Sequence, residues 1–281
     1  MGKHRRLGEY RLLAEIGRGS TAVVHLALDP VGREVALKEL DAEFAAEPEA
    51  RGRLAREMAA QARVTNHASS PYVTRLLDGR LDGDHPYIVT QYAPGVPLGD
   101  LVDAYGPPRA ERLLRVARGM ALGLASIHDA GVVHRDVSPG NVIVLGDRPM
   151  LVDFGIALPA DAEQITRRGM VIGTPAYLAP ELIEGGKATP AADVYAWAAT
   201  LAQAATGRPP FGRGSLHGVC YRILRGQADL DGAADPLASL LRRALDRDPD
   251  RRPSARWLAG ALADWTGTAE RPRIPVAAPA A

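Results

Sequence analysis

One stretch limits what this chain can fold into more than any other: His134-Arg135-Asp136-Val137-Ser138-Pro139-Gly140-Asn141, followed after a short apolar hairpin by Asp153-Phe154-Gly155. Apolar runs flank it at Val132-Val133, Val142–Leu145 and Met150–Val152, and they read as strands. Two carboxylates and one carboxamide are therefore presented on loops at strand ends. A carboxylate beside a hydroxyl can accept its proton. A carboxylate and an amide oxygen are hard ligands that suit Mg²⁺ on a polyphosphate. The fold must bring both functions to one edge.

Upstream, Tyr10–Ile16 and Val23–Leu28 are strand-like, and between them lies Gly17-Arg18-Gly19-Ser20-Thr21-Ala22. Glycines in such a turn let backbone N–H groups approach an anion. The preceding residues, Met1–Gly8, are basic and polar and read as a mobile lead-in. Lysine is scarce, with only Lys3, Lys38 and Lys187 in the chain. Lys38 sits inside the strand Glu34–Lys38, where an ammonium is costly unless paired. The stretch Glu47–Val64 reads as a helix whose apolar stripe is Leu54, Met58 and Ala62. Val73–Gly79 and Tyr87–Tyr92 read as strands joined by a polar hairpin. Arg109–Ala130 is a long amphipathic helix with Leu113, Val116, Met120, Leu124 and Ile127 on one face, ended by Gly131. Three further helices are expected up to Trp265.

Composition narrows the class. At 281 residues the chain fits one large domain or two lobes sharing a cleft. A formal net charge of +1 gives no electrostatic bias toward nucleic acid or an anionic membrane. The single cysteine, Cys220, leaves no internal disulfide and suits a reducing compartment. No apolar run is long enough to span a bilayer, and the start of the chain lacks the apolar centre of a signal peptide, so a cytoplasmic protein is expected.

Taken together, the motifs resemble the protein kinase family, in particular bacterial serine/threonine kinases of the eukaryotic type. The resemblance rests on the glycine-rich turn, Lys38, the stretch Ile88–Gly95, His134–Asn141, Asp153-Phe154-Gly155, Gly173–Glu181, Asp193 and Arg252 in order. It implies an α+β fold over residues 10–265, with a β-rich N-lobe (about 10–92) carrying one helix and a mostly helical C-lobe (about 95–265). Residues 266–281 read as a disordered Pro/Ala-rich tail.

The resemblance also assigns roles. ATP with Mg²⁺ (or Mn²⁺) is implied in the cleft, bound by Ile16, Gly17, Gly19, Val24, Ala36, Lys38, Glu57, Thr90, Gln91, Ala93 and Asp153. Glu57 would pair with Lys38, the backbone at Gln91–Ala93 would meet adenine, and Thr90 would guard the space behind it. Asp100 could reach the ribose. Asp136 would be the base, with Asn141 and Asp153 as metal ligands, and His134 would pack rather than catalyse. Arg135 would pair with a phosphate on the activation loop, where Thr166 is the candidate, and Thr174 would hydrogen-bond Asp136 in the substrate-binding loop. Asp193 would anchor the catalytic loop, and Arg252 would pair with Glu181. The partners implied are protein substrates and a second copy for autophosphorylation in trans.

Two positions depart from the pattern: Ala22 replaces a third glycine, and Ser138 replaces the lysine expected two residues after Asp136. A catalytically weak scaffold therefore remains an alternative. A small-molecule phosphotransferase is a second, disfavoured by the complete Thr174–Glu181 segment.

Overall fold

A computed structural model describes residues 5–19, 21–45, 47–67, 70–153 and 175–266. It has two lobes. The smaller one is a sheet of β1 (Arg6–Leu7), β2 (Tyr10–Arg18), β3 (Ala22–Leu28), β4 (Glu34–Leu40), β5 (Leu76–Arg80) and β6 (Tyr87–Gln91), in the order β1-β2-β3-β4-β6-β5 and antiparallel throughout. Inserted after β4 are a single-turn helix, α1 (Ala42–Ala45), and the long helix α2 (Pro48–His67).

Strand alternation gives the sheet two working faces. On one, Leu7, Tyr10, Leu12, Ala27, Val35, Leu37, Tyr87 and Val89 form a buried cluster. The sheet curls enough for the Tyr10 hydroxyl to donate to Asp78 across it, at 2.8 Å. On the other, Leu40 and Ile88 pack on Ala50 and Leu54 of α2, and the remainder of that face looks into the cleft.

The larger lobe contains β7 (Val96–Pro97), α3 (Leu98–Tyr105), α4 (Ala110–Asp129), β8 (Val142–Leu145), β9 (Arg148–Leu151), α5 (Pro180–Ile183), α6 (Pro190–Thr206), α7 (Leu216–Leu224), α8 (Leu237–Ala244) and α9 (Ala255–Thr266). All five apolar residues expected on one face of α4 are buried. Gly131, at φ +67°, ends that helix. Its N–H bonds to His128, and the Val132 N–H reaches back to Ile127, closing the last turn. Helix α6 is buried on nearly every side and carries Trp197, whose indole N–H donates to the Ala117 carbonyl at 3.1 Å. Strands β7, β8 and β9 form a small sheet at the base of the cleft.

The segment between α2 and β5 belongs to both lobes. Leu151 donates to the Tyr72 carbonyl at 2.8 Å, and Thr74 donates to the Leu151 carbonyl at 3.1 Å. A Cβ on Gly119 would lie 2.9 Å from the Tyr72 ring and 2.6 Å from Pro149, so only glycine permits this approach to α4. Among the described residues, no helix is long and apolar enough to cross a membrane.

Four expectations need correction. Residues 6–7 are not a loose lead-in: Leu7 buries itself against the outer cluster, and both residues pair with β2. Val132-Val133 joins no sheet, because the helical core buries Val132 without a strand partner. Strand β5 starts at Leu76 rather than Val73, since Val73 bridges to Leu151 in the other lobe. The buried face of α2 is Ala50, Leu54, Glu57, Gln61 and Val64, with Met58 and Ala62 only half-buried. The expected tail lies almost wholly outside the described residues.

Candidate active site

Strand register builds the upper wall. Lys38 on β4 stands opposite Val24 on β3 and Ile88 on β6, and Val24 stands opposite Gly17. In the next row, Ala36 stands between Leu26 and Thr90. Directly paired residues point to the same face, so Val24, Ala36, Lys38 and Thr90 share the cleft side. Ile16 falls in a register shift of β2 and is 46% exposed. Gly19 closes the glycine-rich turn by donating to the Ala22 carbonyl at 2.9 Å. Ala22 itself is buried opposite Leu40. Arg18 turns away from the cleft onto Glu15, at 2.6 and 2.9 Å, so it does not supply the charge that Ser138 lacks.

Lys38 meets Glu57 with both carboxylate oxygens, at 2.7 and 2.9 Å, and lies 3.8 Å from Asp153. Burial alone would lower the lysine pKa. The Asp153 and Glu57 carboxylates reverse that and hold it above its ordinary value. Burial pushes the Glu57 carboxyl up, against the pull of the ammonium.

The connection to the lower wall begins at Gln91, whose N–H is taken by the Arg75 carbonyl at 2.8 Å. Its contribution to a ligand is thus limited to its carbonyl and side chain. Ala93 follows, buried. Asp100 is exposed in the first turn of α3.

The loop from His134 to Asn141 forms the lower wall. Asn141 uses its amide nitrogen on the Asp136 carboxylate at 2.7 Å and on the Asp136 carbonyl at 2.9 Å. Its amide oxygen is then aimed as an acceptor. Burial raises the Asp136 carboxyl above the ordinary range, opposed by His134 and by the Asn141 hydrogen bond. His134 is fully buried. Its Nε2 donates to the Val152 carbonyl at 3.1 Å, and Nδ1 accepts from the Asp136 N–H at 3.3 Å. Burial holds the imidazole neutral, consistent with that tautomer. Ser138 is buried at 7% exposure. Two non-glycine residues here adopt positive φ, Arg135 at 71° and Asp153 at 51°, which is local strain of the sort found where geometry is imposed.

That strain is held from below. Asp193, 1% exposed on α6, accepts from the N–H groups of His134 and Arg135, both at 2.8 Å. His128 also contacts Asp193, at 2.8 Å. Thr200 on the same helix donates to the Val137 carbonyl at 3.3 Å. Neither His128 nor Thr200 was legible in the sequence, since each makes its contact across more than sixty residues. The Arg135 guanidinium has no partner among the described residues. Arg252 grips Glu181 with two hydrogen bonds of 2.8 Å and lies over the Tyr195 ring. Phe154, Gly155, Thr166 and Thr174 lie outside the described residues.

The donor set fits a divalent metal bound together with a polyphosphate. Asn141 offers an amide oxygen, and Asp153 a carboxylate 42% exposed. Among the described residues, no group of three or more His, Cys, Asp or Glu side chains could hold a metal ion alone, so the remaining ligands would come from phosphate and water.

The model of the protein kinase domain matches residues 10–261. The chain is 38% identical over 263 residues to the probable serine/threonine-protein kinase PkwA of Thermomonospora curvata, covering 93% of this chain and 35% of that protein. It is 35% identical to the serine/threonine-protein kinase AfsK of Streptomyces coelicolor, covering 92% and 32%. With PknL of Mycobacterium bovis it shares 35% identity, covering 86% and 62%. The chain thus spans about a third of the length of the first two relatives. Among solved structures, Rad53 1-466 in complex with AMP-PNP superposes with a TM-score of 0.75 at 21% identity, covering 92% of this chain and 65% of that one.

Proposed function

This chain belongs to the protein kinase family, and from that premise we propose that it transfers the γ-phosphoryl group of ATP to serine or threonine hydroxyls of proteins. The observation that carries the proposal is the facing pair of walls: Lys38 clamped by Glu57 above, Asp136 bonded to Asn141 below, and Asp153 within 3.8 Å of the lysine. The names of the bacterial relatives support the choice of serine or threonine.

In this reading the nucleotide lies under β2 and β3, with adenine beside Ala36 and Thr90 and its edge toward Gln91 and Ala93. Ile16, Val24, Gly17 and Gly19 cover it. Lys38 binds the α- and β-phosphates. A divalent cation held by Asn141 and Asp153 would neutralise charge on the phosphates. Asp136 orients the acceptor hydroxyl and takes its proton as that oxygen bonds to the γ-phosphorus. The bond from phosphorus to the bridging oxygen breaks and ADP leaves. The raised pKa of Asp136 suits a proton acceptor, and the rest of catalysis is positioning and charge stabilisation.

Residues 10–265 form the catalytic unit in this proposal. Arg135, with its guanidinium unpartnered among the described residues, is the receptor for a phosphate on Thr166, placed there by another copy of the chain. Thr174 belongs to the substrate-binding loop in this proposal, and Ser138 stands where the family's lysine would neutralise the migrating γ-phosphate, offering a hydroxyl without the charge.

Incubating the purified chain with radiolabelled ATP, Mg²⁺ and a generic protein substrate tests the reading. Label is expected on serine or threonine, and Asp136→Asn should reduce it on the order of a hundredfold or more. Near-normal transfer by Asp136→Asn would sink the mechanism, and no transfer by the wild type would leave the scaffold alternative.

A further inference from the structure

Both ends of α2 are clipped by arginines that the proposed mechanism does not use. At the N-terminal end, Arg51 gives its guanidinium to the carbonyls of Leu81 at 2.9 Å, Gly83 at 2.6 Å, and Ala45. All three lie in the smaller lobe. At the C-terminal end, Arg63 crosses to the larger lobe. Its Nη2 donates to the carbonyls of Ala130 at 3.0 Å and Gly131 at 3.3 Å.

These carbonyls close the C-terminal end of α4. Unpaired C=O groups and the negative end of the helix dipole favour a cation there. The seat also has room for one. Gly131 adopts φ +67°, and a Cβ on it would stand 2.9 Å from Nη2 of Arg63. Three residues later the chain reaches His134 and Arg135, whose N–H groups Asp193 holds. One side chain thus joins the helix that carries Glu57 to the lead-in of the loop that carries Asp136.

From this geometry we infer that Arg63 is a positioning residue for phosphoryl transfer, an inference that rests on the function proposed above. Arg63 touches neither wall of the cleft. It acts through α2, which must stay seated for Glu57 to reach Lys38. A second observation explains why a clip on this helix matters. Gln61, 2% exposed on the buried face of α2, has an Oε1 with no hydrogen-bond partner among the described residues. Burying an unsatisfied carbonyl disfavours the seated position, so the balance between seated and displaced α2 is sensitive to one added contact.

The experiment uses the whole chain with Arg63→Met, Arg63→Lys, and Arg63→Met combined with Glu57→Gln. Hydrogen exchange is read on α2, and steady-state transfer gives kcat and the KM for ATP. In Arg63→Met, amides from Glu57 to Val64 are expected to exchange ~3- to 10-fold faster, the range one ordinary, partly solvated hydrogen bond supports. The kcat should fall by a similar factor while the KM for ATP stays within about twofold. Arg63→Lys should recover part of both, because an ammonium can still reach a carbonyl. On the Glu57→Gln background, Arg63→Met should lower kcat no further, since its effect passes through Glu57.

Wild-type exchange on α2 in Arg63→Met overturns the inference. So does an undiminished further loss on the Glu57→Gln background. If Arg63→Met fails to fold, Gly131→Ala crowds the same seat and is read by the same exchange. A wild-type chain with no transfer activity overturns the reading of function instead, and the exchange data then decide by themselves whether Arg63 seats α2.

Discussion

Replacing Asp193 by asparagine should damage stability and turnover together. The carboxylate uses two oxygens to hold two consecutive backbone N–H groups at 2.8 Å each. Asparagine keeps one acceptor oxygen and sets its NH₂ against the second N–H. The loss is one charge-assisted hydrogen bond, about 1.5–3 kcal/mol, and a buried unsatisfied N–H, about 1–3 kcal/mol. Arg135, released from φ 71°, recovers about 1–2 kcal/mol of left-handed strain. The net cost is therefore roughly 3 kcal/mol, and at ~2–4 °C per kcal/mol for a chain of this size the midpoint should drop ~6–12 °C. The relaxed loop carries Asp136 with it, and a displacement near 1 Å costs on the order of a hundredfold in rate. Thermal unfolding followed by circular dichroism gives the first number, and phosphate transfer by the folded fraction gives the second. A midpoint within 2 °C of wild type together with unchanged kcat would show that Asp193 does not hold the strained loop.

Five shorter predictions concern the same site. Because burial raises the Asp136 carboxyl, the folded state prefers its protonated form, so kcat/KM should fall on acidification at a pH above the ordinary aspartate range; a flat profile down to about pH 4 would contradict this. By the same sign, Asp136→Asn should unfold at a higher temperature than wild type near neutral pH, and a lower midpoint would count against it. Ser138→Lys should raise kcat with little change in the KM for ATP, if lysine can extend from its buried site; reduced or equal kcat in a folded variant rules out the missing-charge argument. Thr90→Met should weaken an ATP-competitive inhibitor with a bulky aromatic group, because Thr90 faces the cleft beside Ala36; equal inhibition would remove it from the pocket lining. Mass spectrometry of active protein should find phosphate on Thr166, and unmodified Thr166 in active protein refutes the role proposed for Arg135.

The shape of the loop His134–Asn141 was legible because consecutive residues encode it. His134, Asp136 and Asn141 shape a loop whose hydrogen bonds are mostly local. Lys38 was legible for a different reason, as one of only three lysines and set inside an apolar strand. Glu57 needed the family resemblance. Hydropathy reads a polar residue as solvent-facing, yet Glu57 and Gln61 both sit on the buried face of α2. That is why the expected stripe slid to Met58 and Ala62. β1 was missed because two residues carry no period. The grip of Asp193 on the loop and the pairing of Glu181 with Arg252 could be expected only by resemblance. His128, Thr200, Arg51 and Arg63 act across long sequence separations and left no local signal.

The stitched segment at Tyr72–Thr74 has a mechanical consequence. Besides the Arg63 clip, the lobes are joined there and again through the chain at Gln91–Gly95, and the N–H of Gln91 ties these two joints together at the Arg75 carbonyl. Both joints lie on one side of the cleft. A body fixed along one side keeps a single easy motion, a swing about that line. Ala36 and Thr90, near the line, travel little, whereas the glycine-rich turn at Gly17 and Gly19 sweeps the widest arc. The cleft is a door hung along its adenine edge, so entry and exit of a nucleotide are governed at the phosphate end, where the swing is greatest.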